Sequence, residues 1–573
     1  MMKKILLSIM LAAATCSYAQ ITETATDAVK NMGLGWNLGN TLDANNATAN
    51  DPNSDSYWNG QGVDSETWWG QPVTKKELMT MMKEAGFGAI RVPVTWYNHM
   101  DKSGKVNEAW MKRVHEVVDY VIDNGMYCII NVHHDTGADG EKSTSWLKAD
   151  ETYYKNNKER YEYLWKQIAE EFKNYDNHLL FESYNEMLDT YSSWCFASFA
   201  APGSYSSSVA TSAYNAINSY AQSFVDVVRA TGGNNASRNL IVNTYAASCG
   251  EGNYMWNSHL NDPLTNMKLP ADKVSNHIIF EVHCYPDLTS NGSNKSITTI
   301  NKETDNTIKN LKEKIVSKGA PVIFGEWGPN NGNESYNYRH DLMLQFIEHF
   351  VKQAKDNGIG TFYWMGLTDG AYRDRLQFNQ ADVAETMAKA YHGSTFNGKY
   401  PDASKSSYIV CFEGEKKINW GDGISIHADD FKNIGDKAQL ELTYVQESNS
   451  PDIQFYYGDW SGAATFSVEG KSFTSDFQPG NYYKTGTGAE HTTIFTFDSS
   501  AQKTLALKGL VIHGVNATIK KAVLYDSSVI TDGISIISQS RVSDNNIYNL
   551  SGQRVADTTR GLYIKNGKKF VVR

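Results

Sequence analysis

Between Gly33 and about residue 395 one hydrophobic pattern recurs. A short run that is apolar at nearly every position leads into a polar stretch, then a segment with apolar residues at helical spacing, a glycine-bearing stop, and another apolar run. Eight runs predict strands over residues 33–39, 89–94, 127–134, 179–186, 239–246, 278–286, 322–328 and 360–366. Their continuous apolar character, as in Cys128-Ile-Ile-Asn-Val132, suits parallel strands buried on both faces. Connections from helix to strand are tight, with stops at Glu84-Ala-Gly86, Asp123-Asn-Gly125, Ser317-Lys-Gly319 and Asp356-Asn-Gly358. Residues 44–70, 135–158, 187–213 and 247–273, which follow strands one, three, four and five, are long and rich in Asn, Ser, Gly, Tyr and Trp. The elaboration therefore falls at the strand C-termini, the active face of a (β/α)8 barrel over residues 30–395. A doubly wound open sheet is the alternative; eight repeats in series argue against it.

The pattern changes after residue 395. Residues 397–407 read as a linker, and from 408 to 528 short alternating runs such as Ala438-Gln-Leu-Glu-Leu-Thr-Tyr444 are separated by Gly, Asp and Asn turns, which predicts a β-sandwich accessory domain. Trp420, Tyr456, Tyr457 and Trp460 there are either a stacking platform for glycan or core plus scattered surface aromatics. Residues 532–573 predict short, basic, hairpin-like strands. They resemble the C-terminal segments of exported proteins of the Bacteroidetes, which implies sorting or surface attachment; the alternative is a terminal β unit completing the sandwich.

The N-terminal residues 1–19 combine a basic start, an apolar run and small residues before Gln20, the pattern of a secretory signal cleaved after Ala19. That apolar run is shorter than the roughly 20 residues of a spanning helix, and no later segment predicts one. Cys16 as a lipidation site is the minor alternative. Beyond the signal, Cys128, Cys195, Cys249, Cys284 and Cys411 are odd in number and scattered, so neither a disulfide framework nor a CxxC metal pattern is predicted. With 53 basic against 64 acidic residues and no basic run, the chain does not predict nucleic-acid binding or an anionic membrane surface.

The predicted strand ends carry the candidate chemistry: Arg91 on strand two, His133 and His134 on three, Asn185 and Glu186 on four, His283 and Tyr285 on six, Glu326 on seven and Trp364 on eight. Two carboxyls at one end of a barrel suit retaining glycoside hydrolysis. A metal site at His133-His-Asp135 is disfavoured because adjacent strand residues point to opposite sides and no HExxH accompanies them. No G-x-S-x-G elbow offers a serine nucleophile, and the glycines of Gly33-Leu-Gly-Trp-Asn-Leu-Gly39 are spaced wrongly for a nucleotide. Neither metal nor cofactor is expected.

Over residues 30–390 the chain resembles glycoside hydrolase family 5, the cellulase family. The resemblance rests on Gly35-Trp-Asn-Leu-Gly-Asn40, Arg91-Val-Pro-Val94, Asn131-Val-His-His134, Tyr184-Asn-Glu186, His283-Cys-Tyr285, Gly325-Glu-Trp-Gly328 and Phe362-Tyr-Trp364. Met187 stands where many members carry Pro. The resemblance implies Glu186 as acid/base and Glu326 as nucleophile, with Arg91 and Tyr285 holding Glu326 ionised and Asn185 on the sugar's 2-hydroxyl. It also implies His133 and His134 on the glycone side, His283 orienting the acid/base, and Trp364 stacking at the cleavage point. Asn40 is a further substrate-binding candidate, and Trp36, Trp69, Trp96 and Trp327 are candidates for neighbouring subsites. Thr67-Trp-Trp-Gly-Gln-Pro72 and Asn37-Leu-Gly-Asn-Thr-Leu-Asp43 resemble the endoglucanase and xyloglucanase branch. The expected activity is secreted, endo-acting hydrolysis of β-1,4-glucan, with xylan or mannan as alternative substrates. A non-catalytic glycan-capture protein is the alternative from another class.

Overall fold

The computed structural model describes residues 21–45, 57–136, 145–191, 205–250, 259–290, 293–329, 340–402, 408–434, 438–448, 450–474, 476–479 and 487–526, and the backbone of four short strands beyond them. The signal sequence, Cys16 and Cys195 lie outside the described residues. The chain divides into two compact units, residues 1–405 and 406–573.

In the first unit eight parallel strands close into a barrel: β1 (Leu34–Asn37), β2 (Ala89–Val92), β3 (Tyr127–Asn131), β4 (Leu179–Glu182), β5 (Leu240–Ser248), β6 (Ile278–Cys284), β7 (Val322–Trp327) and β8 (Gly360–Tyr363). β1 pairs with both β2 and β8, so no edge remains. Most strands stop earlier than the hydrophobic pattern predicts. β3 ends at Asn131 and β4 at Glu182, so His133 and His134 lie where the chain enters a turn, and Asn185 and Glu186 in a bend, just past the ladder. That chain is still tied to its neighbours, Ser183 N donating to Ile241 O (2.9 Å) and Asn185 N to Val132 O (2.9 Å).

Seven strands are followed by an amphipathic helix of nine or more residues, among them Glu151–Glu171 and Ser207–Ala230; β5 is followed only by the five-residue helix Asp262–Asn266. The predicted stops hold, with Gly125 and Gly358 at φ 66° and 70°, a conformation in which the Cβ of another residue would clash with the backbone. One helix was not anticipated. Ala25–Met32 precedes β1, and its Ala25, Val29 and Met32 pack with Ile129, Leu180, Ile241, Ile279, Ile323 and Phe362 from the strands. This apolar layer fills the barrel interior, each large side chain contributing about 1.5–3 kcal/mol.

Residues 408–526 of the second unit contain two antiparallel sheets. One has six strands, including Ala438–Gln446, Ala517–Asp526 and Glu490–Phe497; the other has four, Ile424–Ile426, Leu510–Val515, Asp452–Tyr457 and Asp476–Phe477. Leu440, Leu442, Phe455, Phe466, Phe495 and Ile512 share its core, as the period-two pattern requires. Helices Ala428–Ile434 and Ser499–Lys508 join strands of this mainly β unit. The last strands, Ile547–Asn549, Arg554–Val555, Gly561–Lys565 and Lys568–Val572, form a sheet of their own rather than extending the sandwich sheets.

Candidate active site

Above the apolar layer the barrel interior turns polar. Arg91 of β2 is fully buried, and its guanidinium hydrogens all find acceptors. Nε and Nη2 grip Glu182 of β4 (2.6 and 2.8 Å), Nη2 reaches Asn185 Oδ1 (2.8 Å), and Nη1 reaches Asn37 Oδ1 (3.0 Å) and Glu326 Oε1 (2.8 Å). Asn37 in turn donates to the carbonyls of Gly325 (2.9 Å) and Phe362 (3.1 Å), tying β1 to β7 and β8. One cation thus orders groups from three strands and the segment following β4, and Asn37 extends the tie to β8.

Glu326, near the end of β7, receives a second hydrogen bond from Tyr285 Oη (2.6 Å) and lies 3.5 Å from His283 Nδ1. Burial alone would raise its pKa, but the positive charges of His283 and Arg91 and the two hydrogen bonds outweigh burial and lower it. His283 Nδ1 also contacts Glu186 Oε1 at 2.6 Å, and Nε2 contacts Glu281 Oε1 at 3.3 Å. Burial opposes charge on this imidazole, yet Glu326, Glu186 and Glu281 raise its pKa to about 10. One carboxylate oxygen each from Glu186 and Glu326 and a ring nitrogen of His283 all lie within 4.8 Å of one another. So close an approach suits the retaining class of carboxyl pairs, about 5–5.5 Å, better than the inverting class, roughly 6.5–9.5 Å.

A cleft of about 400 Å³ opens on this pair, lined by Asn40, Trp69, His133, His134, Asn185, Glu186, Tyr285, Glu326 and Trp364. Every lining residue was a sequence candidate. Trp364 lies parallel to His133 with centroids 6.0 Å apart, and Gly39 permits its position, because a Cβ there would meet the indole at 2.9 Å. Trp69 is held by its indole nitrogen donating to Asn45 O (3.1 Å) and remains 37% exposed. His133 Nδ1 faces Asn131 Nδ2 at 3.0 Å, so its other nitrogen carries the proton; burial first, then His134, Arg91 and His283, keeps the ring neutral.

Arg91 and His283 lie behind the cleft lining, against the two carboxyls, and three tryptophan candidates for sugar contact are not brought to the cleft at all. Trp36, Trp96 and Trp327 are fully buried, leaving no face for a sugar. Trp36 donates to Met365 O (3.3 Å), Trp96 donates to Asn131 O (2.8 Å), and Trp327 stacks on Phe350 at 4.2 Å, so all three serve as packing behind the site. The expectation that His133 and His134 face opposite sides also fails. The ladder has ended at Asn131, and their rings meet edge to face at 4.5 Å beside the same cleft. Asp43, His133 and His134 place donor atoms within 4.8 Å, as do Glu186, His283 and Glu326, so either trio could hold a cation geometrically.

Four supporting residues, Asn37, Asn131, Glu182 and Glu281, were missed because only strand ends were considered. Their signal was present: each is a polar side chain inside an otherwise apolar strand. Glu281 is buried 3.3 Å from Arg91 Nε, and burial, then Glu182, raises its pKa to about 8. Gly325 makes room for it, since a Cβ there would lie 1.5 Å from Glu281 Oε1.

Residues 48–368 match the family described as Cellulase (glycosyl hydrolase family 5). The chain belongs to glycosyl hydrolase family 5. The family 5 chain is 34% identical over 392 residues to Endoglucanase A of Clostridium longisporum, an alignment covering 64% of this chain and 66% of that relative. It is 33% identical to Endoglucanase B of Neocallimastix patriciarum, covering 60% and 64%. It therefore spans slightly less than two thirds of the length of these curated relatives. Among solved structures it is similar to a GH5-4 broad specificity endoglucanase from an uncultured bacterium, with 61% identity, TM-score 0.60, and coverage of 66% of this chain and 98% of that one. A Prevotella bryantii B14 family 5 enzyme, solved as a mutant in complex with a xyloglucan tetradecasaccharide, is 42% identical with TM-score 0.55, covering 65% and 100%.

Proposed function

We propose that this family 5 chain is an endo-acting, retaining β-1,4-glucan hydrolase accepting cellulose-type, mixed-linkage or xyloglucan chains. The observation that carries the reading is the Glu186–Glu326 pair within 4.8 Å, one member gripped by Arg91 and Tyr285. Glu326, kept ionised, attacks the anomeric carbon while Glu186 gives its proton to the departing glycosidic oxygen. A covalent glycosyl–Glu326 ester forms and the aglycone leaves. Forming the ester removes a negative charge beside Glu186, whose ionised form then accepts a proton from water as the water attacks the same carbon and frees Glu326. Asn185 Oδ1 is taken by Arg91, which turns the amide nitrogen toward the sugar's 2-hydroxyl. His283 positions Glu186, and Trp364 and Trp69 offer aromatic faces to the pyranose rings. The cleft at the barrel mouth, together with the likeness to endoglucanases, supports internal cleavage and a glucan substrate.

The test is release of reducing ends from barley β-glucan, carboxymethyl cellulose, xyloglucan, xylan and mannan. Release from the glucans is expected; cleavage of xylan or mannan alone would keep the mechanism and overturn the specificity, and binding without cleavage would favour the capture alternative. The basic start and apolar run before Gln20 support export, and a mature protein beginning at Gln20 would be its signature. No described helix is long and apolar enough to cross a membrane. Surface attachment through residues 532–573 is supported by their sequence resemblance, and unchanged location after their deletion would remove it.

A further inference from the structure

The outer face of the four-stranded sheet in the second unit carries aromatic and polar groups that the fold does not need. Along Asp452–Tyr457, Ile453 and Phe455 point into the core, which leaves Gln454 and Tyr456 outward. Gln454 pairs in register with His513 of the neighbouring strand, and Tyr456 with Val511. Around His513 stand three rings: Trp460 at 4.9 Å, Tyr456 at 5.1 Å and Trp420 at 5.8 Å, each nearly perpendicular to the imidazole. Trp420 and Trp460 are 52% and 50% exposed. Of the four aromatics singled out in this region, only Tyr457 packs against the sandwich core.

Both tryptophans sit in pinned turns. Trp420 occupies the turn closed by Asn419 N donating to Asp422 O (2.9 Å), and Lys416 Nζ holds Asp422 at 2.6 Å. Trp460 N donates to Tyr457 O (2.8 Å), and Lys508 Nζ clamps Asp459 at 2.7 Å. Trp460 is held at φ 60°, a costly conformation for a bulky residue, and one that concentrates at binding sites. His513 supplies the second observation. Its side chain is about 95% buried, and neither ring nitrogen completes a hydrogen bond of good geometry, although the Trp420 backbone and Asp452 are nearby. A buried polar group without such a partner calls for one.

We propose that Trp420, Trp460, Tyr456 and His513 form a carbohydrate-binding platform on the second unit, with a β-glucan chain as its ligand. Half-exposed, rigidly presented indoles match the apolar faces of pyranose rings, Gln454 offers hydrogen-bonding atoms to ring hydroxyls, and His513 lies beneath the rings as their polar floor. The choice of β-glucan rests on the function proposed for the barrel; the platform itself does not.

The test uses the full chain carrying Glu326→Ala, with and without Trp420→Ala and Trp460→Ala. Its readouts are depletion by insoluble cellulose and retardation in native gels containing barley β-glucan, xyloglucan, xylan or mannan. The paired substitution is expected to weaken β-glucan binding roughly ten-fold or more. In the otherwise wild-type chain it should leave hydrolysis of short soluble cello-oligosaccharides unchanged. Weakening confined to xylan or mannan gels would leave the platform standing and correct the ligand, whatever the barrel cleaves. Equal retardation in every gel together with equal depletion by cellulose would overturn the platform. So would loss of binding accompanied by an equal loss of oligosaccharide hydrolysis, which would trace it to disturbed folding.

Discussion

The barrel mouth and the outer face of the smaller sandwich sheet both present aromatic rings, yet they treat polarity in opposite ways. At the mouth, Arg91 is sealed from water among Glu182, Asn37, Asn185 and Glu326, and its donors are matched with acceptors. On the sandwich, exposed indoles surround a histidine whose ring nitrogens lack well-formed hydrogen bonds. Chemistry on an acetal needs charges placed in advance and shielded from solvent, because such charges act strongly only where water cannot screen them. Capture of a neutral chain needs apolar faces and a few unsatisfied donors or acceptors.

The largest expected effect comes from removing the central cation. Arg91→Met would leave buried carboxylates facing one another, costing about 3–5 kcal/mol of stability and abolishing turnover; denaturant titration and kinetics on β-glucan check both. Trp420→Ala and Trp460→Ala should each stay near 0.5 kcal/mol, as exposed positions do. Equal losses in the two regions would break the contrast.

Tyr285→Phe deletes one of the hydrogen bonds that lower the Glu326 pKa. Its pKa should therefore rise, moving the acid limb of kcat/KM toward neutral pH, with kcat reduced about 10- to 100-fold. An unmoved acid limb would show that Tyr285 does not help hold the nucleophile ionised.

A smaller effect is expected from Glu281→Gln, which imitates the protonated acid favoured by burial and by Glu182. A carboxyl with a raised folded pKa contributes stability that is fully present below its unfolded value, near 4.5, and lost as pH rises through about 8. The Gln variant should therefore lose less stability than wild type between pH 5 and 9, by up to about 4 kcal/mol, with kcat/KM within roughly ten-fold. Identical pH slopes would contradict a neutral Glu281.

The sequence made much of this legible. Eight apolar runs gave the barrel, loop asymmetry gave its active face, and the nine residues lining the cleft were all candidates. Two physical ambiguities set the limit. A tryptophan beside a motif can face sugar or core, and backbone register decides: Trp364 and Trp69 line the cleft, whereas Trp36, Trp96 and Trp327 are buried behind it. A carboxylate inside an apolar run marks a buried partner that the run does not name; Glu182 and Glu281 converge on Arg91 only once the barrel closes. Turns and bends beyond the ladder account for the rest, because the apolar pattern continues where the pairing of β3 and β4 has ended.

The most direct test of the central claim is covalent trapping. A 2-deoxy-2-fluoro cellobioside with an activated leaving group should glycosylate the enzyme slowly, expelling that group, and the glycosyl-enzyme should turn over more slowly still, so that peptide mass spectrometry finds the disaccharide on Glu326. The Glu326→Ala variant should carry no label. Label on Glu186, or efficient hydrolysis with no glycosyl-enzyme and inverted product, would contradict the assignment of nucleophile and acid/base at this site.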